Sequence, residues 1–539
     1  MSPIPRREWY FPALLALFFI VAGSLPYIYG YATAPDDADF MGFIGRGTPG
    51  ANSYLAFARQ AAEGQNAFTN LYTPESPIEA YVNVEWWLMG NAARLTGLSL
   101  IVVFHFGRIL SVFAFVLAVY YLCAVSLRTY RSRRAALLLI CCGTGLGWVL
   151  YGINGLFGTD LALSLDTRGV SIFGYLMNKP HFIRAGAFAA LQYAWFIRAD
   201  QTGQTRFFCL SGLAAAGHSL IRPYQVPEAC LFLVLYWLLR SWQRPGHARR
   251  LGMQVLLAAA CHAPLILWHV VVYLQNPLGL GSFTSWDSLF LISQIFWLGV
   301  PFAAVLAHVV VSLSQGRHLR LSMPVLGIWL ITAFLLLHSH PYFRWGVESY
   351  FVWVFAPPVL FVQYVWPRVE AWRRILRWPH WFRYVTVAAI VIAAVPGNAL
   401  IYGKFFNDLR HPDPPWQYYL YKETRTAIDW LAQHGSEGDV VLASHDTSQF
   451  IPRLANLRVV TGQDVLTDNY TERNGHILRF FQSPGDEGFK QWLCRETSTT
   501  YIFVGPFERE LAIEKFAALP WMEPVYSSGK VSLFAVRLP

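Results

Sequence analysis

The stretch "YGYATAPDDADFMGF", Tyr29 to Phe43, decides how the rest of the chain is read. It closes an apolar run that begins at Trp9, and "ATA" at Ala32–Ala34 has the small-x-small form of a signal-peptide cleavage site. A cut there would leave Pro35 leading, and the apolar run from Trp9 to Tyr31 is long enough to span a bilayer. It reads as an uncleaved first membrane helix. Directly beyond it stand three carboxylates, Asp36, Asp37 and Asp39. Like charges this close repel one another and cost desolvation energy if covered, so the rest of the chain has to explain them.

With 539 residues, 55% hydrophobic and 14% charged, the chain is too apolar for an ordinary soluble protein. Aromatic residues make up 16%, including 21 Trp, as interfacial belts require. The formal charge of +10 does not point to nucleic acid, because the basic residues lie in short clusters between apolar runs. Six cysteines fall inside those runs and Cys494 stands in the polar tail, with neither a disulfide framework nor a zinc spacing.

Runs of spanning length lie at about 9–32, 98–126, 135–156, 182–198, 206–221, 225–241, 251–274, 288–312, 322–338, 346–366 and 384–402. The fold expected is an α-helical polytopic membrane protein of about eleven spans with a small C-terminal α/β domain. Arg6 and Arg7, "RTYRSRR" (Arg128–Arg134), Arg198 with Arg206, "RSWQRPGHARR", Arg317 with Arg320, and "PRVEAWRRILRWPHWFR" alternate with segments poor in Lys and Arg. The positive-inside rule then puts the N-terminus in the cytoplasm and the tail outside. Residues 1–402 form the transmembrane domain. Its first outer loop, 33–97, carries two amphipathic segments, "SYLAFARQAAEGQ" and "PIEAYVNVEWWLMGNAARLTG", able to lie along the membrane surface. Residues 403–420 are a linker. An α/β domain follows over 421–539, where "KETRTAIDWLAQHG", "DVVLAS", "TTYIFVG" and "KVSLFAVRL" alternate helix with strand.

Charged groups within spans are costly and mark function. Here His105 precedes Arg108, His181 precedes Arg184, His218 precedes Arg222 and His340 precedes Arg344, by three or four residues each. That spacing puts both members on one helix face. All four pairs map to outer helix ends, against the positive-inside tendency, and at least two are expected to face a shared cavity. Lys179, Glu228 and Glu348 join them, whereas His262, mid-span beside Pro264, reads as a packed core residue.

Cations at that boundary suit a lipid phosphate whose tail stays in the bilayer. A carboxylate can take the proton of an attacking hydroxyl while the cations stabilise the departing phosphate. Asp36, Asp37 and Asp39 are the candidate bases, and the candidate ligands of a divalent cation, Mg or Mn, if one is used. Glu85 and Glu228 are further candidate acids.

In layout the chain resembles the GT-C class of integral-membrane glycosyltransferases, closest to the protein mannosyltransferase-like and lipid A aminoarabinose transferase-like branch. The features that match are the first helix, the acids beyond it, the large first outer loop with surface helices, the further spans and the outer C-terminal domain. The resemblance implies a polyprenyl-phosphate-linked sugar as donor, a lipid, glycan or protein acceptor, inversion at the anomeric carbon, and a bacterial inner (plasma) membrane. It casts one of Asp36, Asp37 and Asp39 as the catalytic carboxylate, and Arg184, Arg222 and Arg344 as carrier-phosphate contacts. Many such enzymes carry another acid at the start of the first surface helix, where this chain has Gly50, Ala51 and Asn52. Glu63, Glu75 or Glu85 are the acids that could take its place.

The expected function is sugar transfer from a polyprenyl phosphate on the outer face. A transporter or flippase, or a ligase or polymerase of lipid-linked glycans, would use the same cations. Transport would be favoured by an internal repeat, and none is visible.

Overall fold

The structure is a computed structural model that describes residues 4–45, 48–75, 83–158, 172–275, 291–314, 324–337, 350–375, 377–379, 381–412, 418–464, 466–483, 485–512, 516 and 518–538. Four helices among these are long and apolar enough to cross a membrane: Arg6–Ala32, Leu100–Ser126, Pro245–Val271 and Tyr384–Arg410. The protein is an integral membrane protein. A fifth span is counted if Tyr130–Cys142 and Gly147–Phe157, bent by 43°, act as one. The run expected as one helix at 135–156 breaks there because Gly143 leaves helical geometry at ψ 131. The run at 288–312 kinks at Gly299, whose φ of 71 is costly for any residue with a side chain.

The described residues cluster into two compact units. The first takes in Met1–Leu25, Phe106–Val270 and Phe283–Lys404, and is helical. Helix Pro180–Thr202 opens at Pro180 and closes on Gly203, and small residues line its buried side: Ala185, Gly186, Ala189 and Ala190. Helix Thr205–Ile221 crosses Ala248–Gln275 at Gly212, where an added Cβ would stand 2.2 Å from the Ala258 carbonyl oxygen. Close backbone approach through small residues is how helices associate where lipid offers no hydrophobic contrast. At the Arg-rich helix ends, Arg133 pairs with Glu8 at 2.7 Å and Arg240 with Asp200 at 2.7 Å. Tyr120 donates to Glu8 and Tyr236 to Asp200.

The second unit takes in Pro26–His105 and Phe405–Pro539, with a short stretch from Val271. Strand β1, Ala38–Phe40, pairs antiparallel with β2, Tyr419–Tyr421. Five further strands are β3 (Val440–Leu442), β4 (Arg458–Val459), β5 (Thr499–Val504), β6 (Met522–Ser528) and β7 (Val531–Val536). They form one sheet in the order β4-β3-β5-β7-β6, with β3 parallel to β4 and β5, and β7 antiparallel to β5 and β6. Side chains alternate across a strand, and the two faces bury separate cores. Val441, Phe503 and Leu533 pack on helix Lys422–His434 through Ala427, Ile428 and Leu431. Val440, Leu442, Ile502, Val504 and Phe534 pack instead on Ile477, Phe480, Phe481 and Leu493. Met41, Ala56 and Tyr72, from the loop after the first helix, belong to the first of these cores.

The two amphipathic segments of that loop form helices Thr48–Ala62 and Val84–Thr96, which pack on one another around Phe57, Ala58, Ala61 and Trp86. Gly90 permits the crossing: an added Cβ would meet the Ala58 carbonyl oxygen at 2.1 Å.

Candidate functional site

In the helical unit, four of the expected groups gather at one end of helix Pro180–Thr202. Lys179 occupies its N-cap, and His181 and Arg184 follow in its first turns. Arg222, at the C-cap of Thr205–Ile221, lays its guanidinium 3.7 Å from the centre of the Phe182 ring. Lys179 places its ammonium 5.2 Å from the same ring. His181 lies within electrostatic reach of Arg222, Lys179 and Arg184, and His218 within reach of Arg222. His181, His218 and Arg222 are buried. Arg184 donates from Nε to Ser111 Oγ at 3.1 Å and from Nη2 to the Gly107 carbonyl at 3.3 Å. The neighbouring Arg108 is buried and donates to Ser24 Oγ at 3.0 Å.

A helix N-terminus carries partial positive charge and unpaired backbone N–H groups, so it attracts anions. Adding two guanidinium groups and an ammonium there makes a place suited to a phosphate. His262, read as a core residue, bonds Ser219 Oγ at 2.7 Å and is buried. Glu228 is buried too and accepts from Tyr193 at 2.9 Å and from the Trp329 indole, joining helices Val226–Gln243, Pro180–Thr202 and Pro324–Leu337. Those bonds give it a structural occupation. His340, Arg344 and Glu348 lie outside the described residues.

The carboxylates belong to the other unit. Asp36 and Asp37 are exposed in the turn before β1, and their backbone carbonyls accept from Lys422 Nζ at 2.7 Å and Lys422 N at 2.8 Å. Asp39 is half-buried in mid-strand opposite Leu420, and Met41 N continues the ladder to the Tyr418 carbonyl at 2.8 Å. Its backbone is therefore held along one edge, by β2. His105, in the same unit, packs edge-on against Tyr27 with ring centres 4.6 Å apart. Among the described residues no three His, Cys, Asp or Glu side chains are placed to hold a metal ion. Asp36, Asp37 and Asp39 form no such set.

The remaining acids of the loop are engaged. Glu63 pairs with Arg59 at 2.7 Å and accepts from Asn456 at 2.5 Å. Glu75 pairs with Arg473 and accepts from Thr73, and the hydrogen bonds hold its carboxyl below the ordinary range against the opposing effect of burial. Glu85 is buried in the first turn of Val84–Thr96.

Two constellations escaped the sequence reading. Arg453 is buried, donating to Asn52 Oδ1 at 2.9 Å and to the Met41 carbonyl at 3.1 Å, two residues beyond Asp39. Burial, reinforced by the Arg425 charge, pushes its pKa down. No local pattern announces a contact between residues 401 positions apart. The second lies where β3, β4 and β5 end, around His445 and Tyr470. A strand-like run followed by "SHD" was the signal available for it.

No family model matches this sequence, and no curated protein does. Among solved structures it is similar to the apo oligosaccharyltransferase of Archaeoglobus fulgidus, with a TM-score of 0.52, 13% identity, and coverage of 92% of this chain and 70% of that one. The same enzyme in complex with Zn and sulfate gives 0.50 at 13% identity, over 90% and 67%. The arabinofuranosyltransferase AftD from Mycobacteria gives 0.52 at 15% identity, over 100% of this chain and 42% of that one. This chain thus spans less than half the length of the mycobacterial protein. At such identities the likeness is one of fold.

Proposed function

We propose that this chain, whose fold is that of the GT-C membrane glycosyltransferases, moves a sugar from a polyprenyl phosphate to an acceptor hydroxyl on the outer face of the membrane. What carries the reading is the gathering of Lys179, His181, Arg184 and Arg222 at one helix N-terminus in an apolar unit. These groups hold the carrier phosphate. The acceptor hydroxyl gives its proton to a carboxylate, for which Asp39 is the candidate, and the acceptor oxygen bonds to the anomeric carbon from the face opposite the phosphate. The bond from that carbon to the phosphate oxygen breaks, and its electron pair leaves with the polyprenyl phosphate, inverting the configuration. The cations take up the negative charge that develops on the leaving oxygen. Asp39 is favoured over Asp36 and Asp37 because it lies within a strand whose backbone pairs with β2, and a base must be positioned before its pKa matters.

The test uses purified full-length protein in lipid nanodiscs with synthetic polyprenyl-phosphate sugars. Release of free polyprenyl phosphate is the expected outcome. Asp39→Asn should lower turnover about 10²–10⁴-fold, with Asp36→Asn and Asp37→Asn near the parent rate. Arg222→Lys should weaken donor binding, since an ammonium cannot reproduce a planar bidentate grip. Absence of turnover with any donor, alongside translocation in liposomes, would make the chain a flippase. Full rate in all three Asp variants would remove this base.

A further inference from the structure

In the helical unit, helices Thr205–Ile221 and Ala248–Gln275 meet at several levels. Just before the first of them begins, the Gly203 carbonyl accepts from Gln254 Nε2 at 2.9 Å. Further along, His262 Nε2 and Ser219 Oγ stand 2.7 Å apart. Between these contacts Gly212 brings the backbones together. An added Cβ there would stand 2.2 Å from the Ala258 carbonyl oxygen and 2.9 Å from Cys261 Cβ. Cys209 precedes Gly212 by three residues, a spacing that puts both on one helix face. The Cys209 and Cys261 thiols hydrogen-bond to each other.

Two observations set this pair apart. A disulfide needs its Cα atoms within about 4.4–6.8 Å of each other, and the approach at Gly212 sets Cys261 Cβ against the helix that carries Cys209. Both thiols are also half-buried rather than enclosed. One turn from Cys209 stands Leu213, 55% exposed, and one turn from Cys261 stands Leu257, 38% exposed. An outward apolar surface on membrane helices faces lipid, so whatever reaches these sulfurs is dissolved in the bilayer. Cys123 and Cys141 lie within electrostatic reach of one another too, but both are fully buried and shielded from any oxidant.

We propose that Cys209 and Cys261 are a redox site, closing to a disulfide that staples helix Thr205–Ile221 to helix Ala248–Gln275. Two S–H bonds break and one S–S bond forms. The two electrons and two protons pass to a lipid-soluble quinone, which leaves as the quinol. Because the bond joins separate helices, it restricts the unfolded chain and fixes the helix whose C-cap is Arg222. Reduction from the water side is slow, since reducing thiols attack as thiolates and a bare charge does not enter an apolar region. The site stands apart from the transferase reading and needs neither donor nor acceptor.

The experiment starts from fully reduced, full-length protein in lipid nanodiscs and adds a fully substituted short-chain benzoquinone. Mass spectrometry of proteolytic fragments should show Cys209 and Cys261 linked, with the loss of two hydrogens. Both thiols should lose their reactivity toward a lipid-soluble maleimide, and the thermal midpoint should rise by several degrees. Cys209→Ala and Cys261→Ala should each abolish the link and the quinone-induced rise, whatever the variant's own midpoint. The proposal is overturned if both thiols stay reactive after quinone, if the link joins other cysteines or two copies of the chain, or if either variant keeps the rise. The link is read without donor, so its absence would leave the transferase reading untouched, and absence of turnover would leave the link standing.

Discussion

Replacing Asn52 by Asp should stabilise the protein, although it adds a buried charge. Asn52 is fully buried, and its orientation is dictated by Arg453, whose guanidinium can only donate and so meets Oδ1 at 2.9 Å. Nδ2 is left buried with no partner. An unmet buried donor costs about 1–3 kcal/mol, and Asn52→Asp removes it. Two opposite charges 4 Å apart attract by about 4 kcal/mol at an effective dielectric constant near 20. Against this stands the burial of the carboxylate, which costs several kcal/mol. The guanidinium is buried in both proteins, so its own desolvation cancels. The net gain is about 1–3 kcal/mol, and at about 2–4 °C per kcal/mol the melting midpoint should rise by roughly 2–12 °C. The assay is thermal unfolding of full-length protein in detergent at pH 7. The sign can be checked by pH. Arg453 depresses the folded-state pKa of the new carboxyl, so the gain is present above the unfolded value of about 4. It disappears as pH falls through the folded value. An unchanged or lowered midpoint at pH 7 would refute the account of Arg453 as a buried cation short of a carboxylate.

Three further outcomes are expected. Gly90→Ala puts a Cβ against the Ala58 carbonyl and should cost about 1–3 kcal/mol by prising helices Thr48–Ala62 and Val84–Thr96 apart; a midpoint equal to the parent's in chemical denaturation would count against that crossing. Glu508→Ala strips the acceptor from two backbone N–H groups and the Ser444 hydroxyl, at a cost of about 3 kcal/mol or more. Glu508→Gln keeps one oxygen and should be milder, a ranking that thermal melts can confirm or reverse. His445 has a folded-state pKa below its unfolded value of about 6.5. Its contribution is complete above that pH and is lost as pH falls toward the folded value. Melts at pH 7.5 and 5.0 should show the loss, and His445→Gln should show less of it.

Some of this was legible without coordinates because the signals are local. An apolar run of spanning length has to sit in lipid, so Trp9–Tyr31 and 98–126 could be recognised directly, and helices Arg6–Ala32 and Leu100–Ser126 stand there. Alternation in "TTYIFV" and the spacing of Thr424, Ala427, Ile428 and Leu431 specify a strand and a helix face by periodicity, and both elements formed. Spacing suggested shared helix faces for His181 with Arg184 and for His218 with Arg222, although Arg222 stands at the C-cap, outside helix Thr205–Ile221. Tertiary structure alone drew Arg222 to Phe182, beside Lys179 and His181, and set His105 against Tyr27. It also decided that β1 pairs with β2 and that Arg453 reaches Asn52. Such contacts depend on which distant surfaces can be buried together and on hydrogen bonds that must be met inside. Those conditions act on the folded chain as a whole and leave no period in its sequence.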